Sequence, residues 1–169
     1  MTGSTLNTRT VARAVILVAI GVALSPFTSI PVGIAKINPT QHFVNVVSAV
    51  LLGPWWAAAV AMIIGILRNA LGTGTLLAFP GGMIGAFLAG LLYRLTKNIY
   101  LGAFGEVVGT GLIGAGVSAL VVAPFLLGKK MALGALIVVF SGSTVLGSIL
   151  GVVGLKILER AGFAELSSR

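Results

Sequence analysis

The chain has 169 residues, of which 57% are hydrophobic and 8% are charged. A soluble domain carries roughly 25% charged residues, so this composition excludes a water-soluble globular protein and indicates an integral membrane protein. At this length we expect residues 1–169 to form a single membrane domain. The formal net charge of +8 comes from bases at the ends of apolar runs, so we expect a lipid bilayer as partner and no nucleic acid.

The scarcity of acids, His and Cys excludes several kinds of chemistry. Asp and Cys are absent, the acids are Glu106, Glu159 and Glu165, and His42 is the single histidine. Acid-rich metal sites, paired-carboxylate catalysis, thiol nucleophiles and multi-histidine zinc sites all need more of these residues. The chain also lacks a Walker-type GxxxxGK[ST] string. We therefore predict a protein that is not an enzyme and that holds no metal or cofactor.

Apolar runs predict an all-α bundle of six transmembrane helices. A helix needs about 20 apolar residues to cross the hydrocarbon core, with a range of roughly 17–25. The predicted segments cover approximately residues 11–28, 40–52, 55–71, 76–95, 100–127 and 131–158. The second segment is short, because a polar stretch from Ser29 to His42 precedes it and the pair Gly53-Pro54 ends it.

The distribution of bases predicts the orientation of the bundle. With six spans, both termini lie on the same side of the membrane. That side carries Arg9, Arg13, Arg94, Lys97, Lys156, Arg160 and Arg169, whereas the other side carries Lys36, Arg68, Lys129 and Lys130. Cytoplasmic loops carry the excess of Lys and Arg. We therefore expect both termini in the cytoplasm.

Polar residues inside apolar helices need an explanation, because they are costly in lipid and usually face a cavity or a partner. In the second segment, Gln41, Asn45 and Ser48 follow a helical spacing, with His42 beside them. This stripe either binds neighbouring helices or lines a ligand site. Glu106 lies about two turns into the fifth segment, and it either pairs with a neighbouring helix, for example with Arg68 or Arg94, or contacts a ligand or cation.

Small residues at helical spacing mark faces where helices approach closely. The first segment carries two such pairs, Ala19 with Ala23 and Gly21 with Ser25. Spacing alone does not separate packing within the bundle from docking of a partner subunit.

Three strings in the chain resemble the ThiW family. They read GIAKINPTQHFVNVVSAVLLGPWWA, LRNALGTGTLLAFPGGMIGAFLAGLLYR and GEVVGTGLIGA. ThiW proteins are substrate-binding (S) components of energy-coupling factor (ECF) vitamin transporters, assigned to the thiazole moiety of thiamine. The resemblance implies a six-helix S component in the cytoplasmic membrane of a prokaryotic cell, which works with a transmembrane coupling subunit and two cytoplasmic ATPases. It also implies that small residues of the first helix, here Ala19, Gly21, Ala23 and Ser25, dock the coupling subunit.

The resemblance further implies a ligand site near the outer leaflet, closed by the loop after the first helix. Carried onto this sequence, that site consists of Lys36, Asn38, Gln41, His42, Asn45, Arg68, Asn69, Thr73 and Glu106. Phe27, Phe43 and Phe79 are the candidate aromatic residues near it. The implied function is capture of hydroxyethylthiazole for ATP-driven uptake. Two alternatives stay open: an S component for thiamine or its pyrimidine precursor, and a structural subunit of a membrane complex that transports nothing.

Overall fold

A computed structural model describes residues 7–32 and 35–162, and of Ala35 only the backbone. Arg169, one of the predicted cytoplasmic bases, lies outside these ranges. The described chain is all-α apart from one short hairpin. Its elements are α1 (Thr8–Thr28), β1 (Ile30–Val32), β2 (Ala35–Ile37), α2 (Pro39–Leu52), α3 (Pro54–Ala70), α4 (Ala78–Thr96), α5 (Ile99–Leu126) and α6 (Leu133–Arg160). The largest difference from the predicted segments is at the start of α1, which begins at Thr8 instead of 11.

Local capping chemistry explains where the first three helices begin. Asn7 caps α1, its side chain accepting a hydrogen bond from the backbone N–H of Arg9. Asn38 caps α2 in the same way, and Pro39 occupies the first turn, where its missing N–H costs nothing. Gly53 separates α2 from α3 with a φ of 87° that other residues rarely adopt.

Within the described residues, four helices are long and apolar enough to cross a membrane, namely α1, α4, α5 and α6. The apolar α3 has 17 residues, which is at the lower limit for a span, and α2 has 14. In α5 the helix is π-helical over Gly109–Gly114 and Ser118–Leu126. Such widened turns are frequent at functional sites.

The short helix α2 lies at the centre of the bundle. It packs against α1, α3, α4, α5 and α6. Ten of its residues are buried, and they include the polar side chains of Gln41, His42, Asn45 and Ser48. A helix surrounded by protein meets no lipid over most of its surface, so its polar groups can bind neighbouring helices.

The polar stretch before α2, which we predicted to be a loop, contains an antiparallel hairpin. Strand β1 pairs with β2 so that Ile30 faces Ile37 and Pro31 faces Lys36. The β-branched residues Ile30, Val32 and Ile37 favour the extended conformation. The hairpin covers the end of the bundle at which α2 and α4 begin.

Glycines allow α4, α5 and α6 to approach their neighbours closely. A Cβ at Gly85 of α4 would lie 2.7 Å from Glu106 Oε2, and it would overlap Thr110 Oγ1. A Cβ at Gly147 of α6 would lie 2.5 Å from His42 Cβ. The bundle can therefore hold Glu106 and His42 at these positions only because these two neighbours have no side chain.

Candidate functional site

A small cavity lies at the end of the bundle that carries the hairpin. Its volume is about 30 Å³, which holds about two water molecules. Residues from β2, α2, α3, the α3–α4 loop, α4, α5 and α6 contribute to its wall. They are Lys36, Asn38, Gln41, His42, Arg68, Thr75, Ala78, Thr110, Phe140 and Ser143.

Asn38 connects three elements at the edge of this cavity. Its side-chain oxygen accepts the backbone N–H of Gln41 at 3.0 Å, which caps α2. Its side-chain amide donates to Ser25 O of α1 at 3.2 Å and to Ser29 Oγ at 2.6 Å. Its backbone N–H donates to Ser143 Oγ of α6 at 2.8 Å. The start of α2 is therefore held in place against α1 and α6.

A continuous chain of hydrogen bonds runs from the cavity into the bundle. Arg68 Nη1 donates to Gln41 Oε1 at 3.3 Å, and Gln41 Nε2 donates to Asn45 Oδ1 at 3.2 Å. Asn45 Nδ2 donates to Glu106 Oε1 at 2.9 Å and to Gly82 O at 3.1 Å. Arg68, Gln41, Asn45 and Glu106 are all buried. The chain connects α3, α2, α4 and α5 through polar groups that lipid could not satisfy.

Glu106 is fully buried behind the cavity wall and binds His42. The distance from Glu106 Oε1 to His42 Nδ1 is 2.7 Å, and Thr110 Oγ1 lies 2.9 Å from the same oxygen. Our suggestion that Glu106 pairs with Arg68 or Arg94 is wrong, because its direct partners are His42, Asn45 and Thr110. The second carboxyl oxygen, Oε2, has no hydrogen-bond partner among the described residues.

The α3–α4 loop closes one side of the cavity around Arg68. Arg68 Nη2 donates to Thr73 O at 3.3 Å, and the side chain of Thr73 donates back to Arg68 O at 3.2 Å. Asn69 binds Gly65 O at 2.8 Å, within the end of α3. Lys36 Nζ of β2 donates to Gly72 O at 3.2 Å, so the hairpin and this loop are in contact across the cavity.

The predicted site residues divide into three groups by position. Five of them line the cavity, namely Lys36, Asn38, Gln41, His42 and Arg68. Asn45 and Glu106 lie behind the wall and contact its residues. Asn69 and Thr73 shape the adjoining loop without lining the cavity.

Sequence reasoning missed the contribution of α6, which supplies Phe140 and Ser143 to the wall. Ser143 is followed at helical spacing by Gly147 and Gly151, and such a row of small residues predicts helix packing as readily as ligand binding. Of the candidate aromatic residues, Phe27 is 86% exposed, Phe43 packs against a hydrophobic core to which all six helices contribute, and Phe79 faces Gly65. The aromatic residue at the cavity is Phe140.

The small residues of α1 face in two directions. Gly21 and Ser25 are buried, and a Cβ at Gly21 would collide with Ile64 of α3. Ser25 Oγ donates to Gly21 O within the helix. Ala19 and Ala23 are exposed on the outside of the bundle. The Gly21–Ser25 face therefore packs within the chain, and the Ala19–Ala23 face is open.

The cavity wall carries positive charge and no acid. Lys36 and Arg68 are its charged residues, while Glu106 lies behind His42 and Thr110 with no exposed surface. Among the described residues, no three His, Cys, Asp or Glu side chains lie close enough to hold a metal ion. The arrangement can therefore form hydrogen bonds with a small polar molecule. It offers no carboxylate to balance the charge of a positively charged ligand.

Comparison with known proteins identifies the family. The profile described as thiamine-precursor transporter protein (ThiW) matches residues 11–161, which include all six helices apart from the first turn of α1. No curated protein and no solved structure matches the chain. The matched range covers most of the chain and includes every residue of the cavity wall. The chain belongs to the ThiW family of thiamine-precursor transporter proteins.

Proposed function

We propose that this chain is the substrate-binding subunit of an ECF-type importer and that its ligand is hydroxyethylthiazole. The family supports transport of a thiamine precursor. The observation that carries the proposal is the polar cavity at one end of the bundle, where hydrogen-bonding side chains meet the ring of Phe140. A small heterocycle needs an apolar or aromatic wall and a few placed polar groups, and this wall has both. Binding involves no covalent step.

The charges of the wall favour a neutral ligand over thiamine. Thiamine carries a positive charge, and it would meet Lys36 and Arg68, whereas Glu106 is shielded by His42 and Thr110. Burying a cation beside like charges is unfavourable. The neutral pyrimidine precursor meets no such penalty, so it is the stronger competitor among related ligands.

Binding requires the cavity to enlarge. Ligand pockets usually measure about 300–1,000 Å³, which is far more than the cavity volume of about 30 Å³. The hairpin and the α3–α4 loop form the cover, and their contact from Lys36 to Gly72 O is partly exposed. Movement of these two segments opens a path from the side of the membrane on which they lie.

All six helices span or enter the membrane, with both termini in the cytoplasm. Bases are more numerous at the end of the bundle that carries the termini than at the hairpin end. This excess of bases supports a cytoplasmic position of the termini. The coupling subunit and two ATPases supply the energy, and the exposed Ala19 and Ala23 of α1 form the docking face.

The orientation can be tested with single cysteines, because the natural chain has none. Lys129→Cys in the α5–α6 turn and Arg94→Cys at the end of α4 are both exposed positions at opposite ends. A membrane-impermeant maleimide applied to intact cells should label the first variant and reach the second only after permeabilisation. The reverse pattern would place the termini outside.

Isothermal titration of the detergent-purified protein tests the ligand. We expect one hydroxyethylthiazole to bind per chain without ATP, while thiamine and the aminopyrimidine precursor serve as comparators. Tight binding of the aminopyrimidine instead would keep the receptor function and reassign its ligand. Binding of none of the three would favour the structural-subunit alternative.

A further inference from the structure

The hydrogen-bond chain behind the cavity has one possible direction. Arg68 is a donor without any acceptor atom, so Gln41 must present its oxygen to it at 3.3 Å. Gln41 then donates from its amide nitrogen to Asn45 Oδ1. Asn45 in turn donates from Nδ2 to the backbone carbonyl of Gly82, which can only accept and so fixes the same orientation of the Asn45 amide. Each amide orientation therefore supports the next.

This direction determines the role of Glu106 Oε1. Because Asn45 Nδ2 donates to it at 2.9 Å, Oε1 is an acceptor, and as a carboxylate oxygen it has no hydrogen of its own to donate. The ring nitrogen Nδ1 of His42 lies 2.7 Å from the same oxygen. Against a carboxylate oxygen, Nδ1 carries the hydrogen and donates it.

A neutral imidazole with a hydrogen on Nδ1 has an acceptor at Nε2. His42 contributes to the cavity wall, and Nε2 makes no hydrogen bond with the described residues. Ser143 Oγ accepts the backbone N–H of Asn38, which leaves its own hydroxyl hydrogen to donate.

From this geometry we infer that Glu106 is a positioning residue that makes His42 Nε2 the acceptor for a hydroxyl group of the ligand. The inference rests on the proposed function and names the ligand class more closely: a neutral alcohol whose O–H donates to Nε2. A ring nitrogen of the same ligand accepts from a donor on the wall such as Ser143. Hydroxyethylthiazole carries both groups.

Nitrogen NMR of the full-length protein tests the tautomer without any ligand. His42 is the single histidine, so ¹⁵N-histidine labelling gives one pair of ring signals. We expect a protonated Nδ1 and an unprotonated Nε2. A hydrogen on Nε2, in the other tautomer or in the imidazolium, overturns the inference. In Glu106→Gln the new amide can donate to Nδ1, so the pair of ring-nitrogen signals should change. The matched variant Glu159→Gln, at the surface pair with Lys156, should leave these signals unaltered.

Titration with the ethyl analogue of hydroxyethylthiazole, which lacks the hydroxyl, tests recognition. An acceptor left unpaired in a buried site should weaken binding at least about 10-fold. The ratio between the two ligands should fall towards one in Glu106→Gln and stay unchanged in Glu159→Gln. Equal affinity of the two ligands for the natural protein would refute the role of His42. If neither ligand binds, the proposed function fails, and the NMR result still decides the tautomer.

Discussion

Replacing Asn45 by alanine should both destabilise the bundle and weaken ligand binding. Asn45 has no exposed surface and lies at the branch of the hydrogen-bond chain. Its side chain binds Gly82 O of α4 at 3.1 Å, Glu106 Oε1 of α5 at 2.9 Å and Gln41 Nε2 within α2 at 3.2 Å. Alanine removes all three bonds and leaves these partners buried.

The expected loss can be estimated from these contacts. An interhelical hydrogen bond in a membrane protein contributes about 0.6 kcal/mol on average and up to about 1.7 kcal/mol. A buried partner left without a bond adds about 1 kcal/mol or more. The loss of two interhelical bonds, together with a Gln41 amide left without its acceptor, therefore corresponds to a decrease of about 2–4 kcal/mol in the free energy of unfolding. Gln41 also loses the bond that orients it towards Arg68, so binding should weaken about 10-fold or more.

The assay is a denaturant titration in mixed micelles, followed by ligand titration at a temperature where both proteins are folded. Ser48→Ala is the matched control, because Ser48 is equally buried on the same helix and its hydroxyl binds only Asn45 O. We expect its loss to stay below about 1 kcal/mol. If Asn45→Ala is as stable as Ser48→Ala and binds ligand equally well, the network has no energetic role and the reasoning from contacts is refuted.

Three further predictions follow from other contacts. Gly85→Ala places a Cβ 2.7 Å from Glu106 Oε2 and should destabilise the protein by about 1–3 kcal/mol, while Gly116→Ala, which meets nothing within 4 Å, should be neutral or stabilising in the same titration. Lys36→Met removes the bond to Gly72 O and should speed ligand dissociation in stopped-flow measurements. The free energy of unfolding should change by no more than about 0.5 kcal/mol. An unchanged dissociation rate would exclude a role for this contact in closing the cavity. Ala19→Leu, on the exposed face of α1, should abolish co-purification with the coupling subunit and leave ligand binding intact. Ala135→Leu, at an exposed position of α6, should leave co-purification unchanged. If both variants co-purify equally well, Ala19 does not belong to the docking face.

Residues close in sequence could be placed correctly because their signals are local. Pro39, Gly53 and Pro54 determine where α2 begins and ends through their own backbone restrictions. The apolar runs predicted helices whose bounds differ by a few residues from those in the structure. The polar stripe of α2 also identified Gln41 and His42 as side chains that need a partner, and both line the cavity.

Pairings between distant helices could not be predicted in this way. Glu106 and His42 are 64 positions apart, and their contact depends on the rotation of α5 about its axis and on the absence of a side chain at Gly85. The same holds for Phe140 and Ser143, which reach the cavity because Gly147 lets α6 approach the start of α2. A hydropathy pattern contains no information on such lateral contacts.

The sequence by itself therefore determined that this is a membrane protein, where its helices run and which polar residues need a partner. These properties depend on composition and on local backbone preference, which each segment carries with it. The tertiary structure decided which polar groups meet, that Glu106 lies behind His42, and which side of α1 remains open at Ala19 and Ala23. These properties depend on close packing between segments, in which a single missing Cβ determines how near two helices can lie.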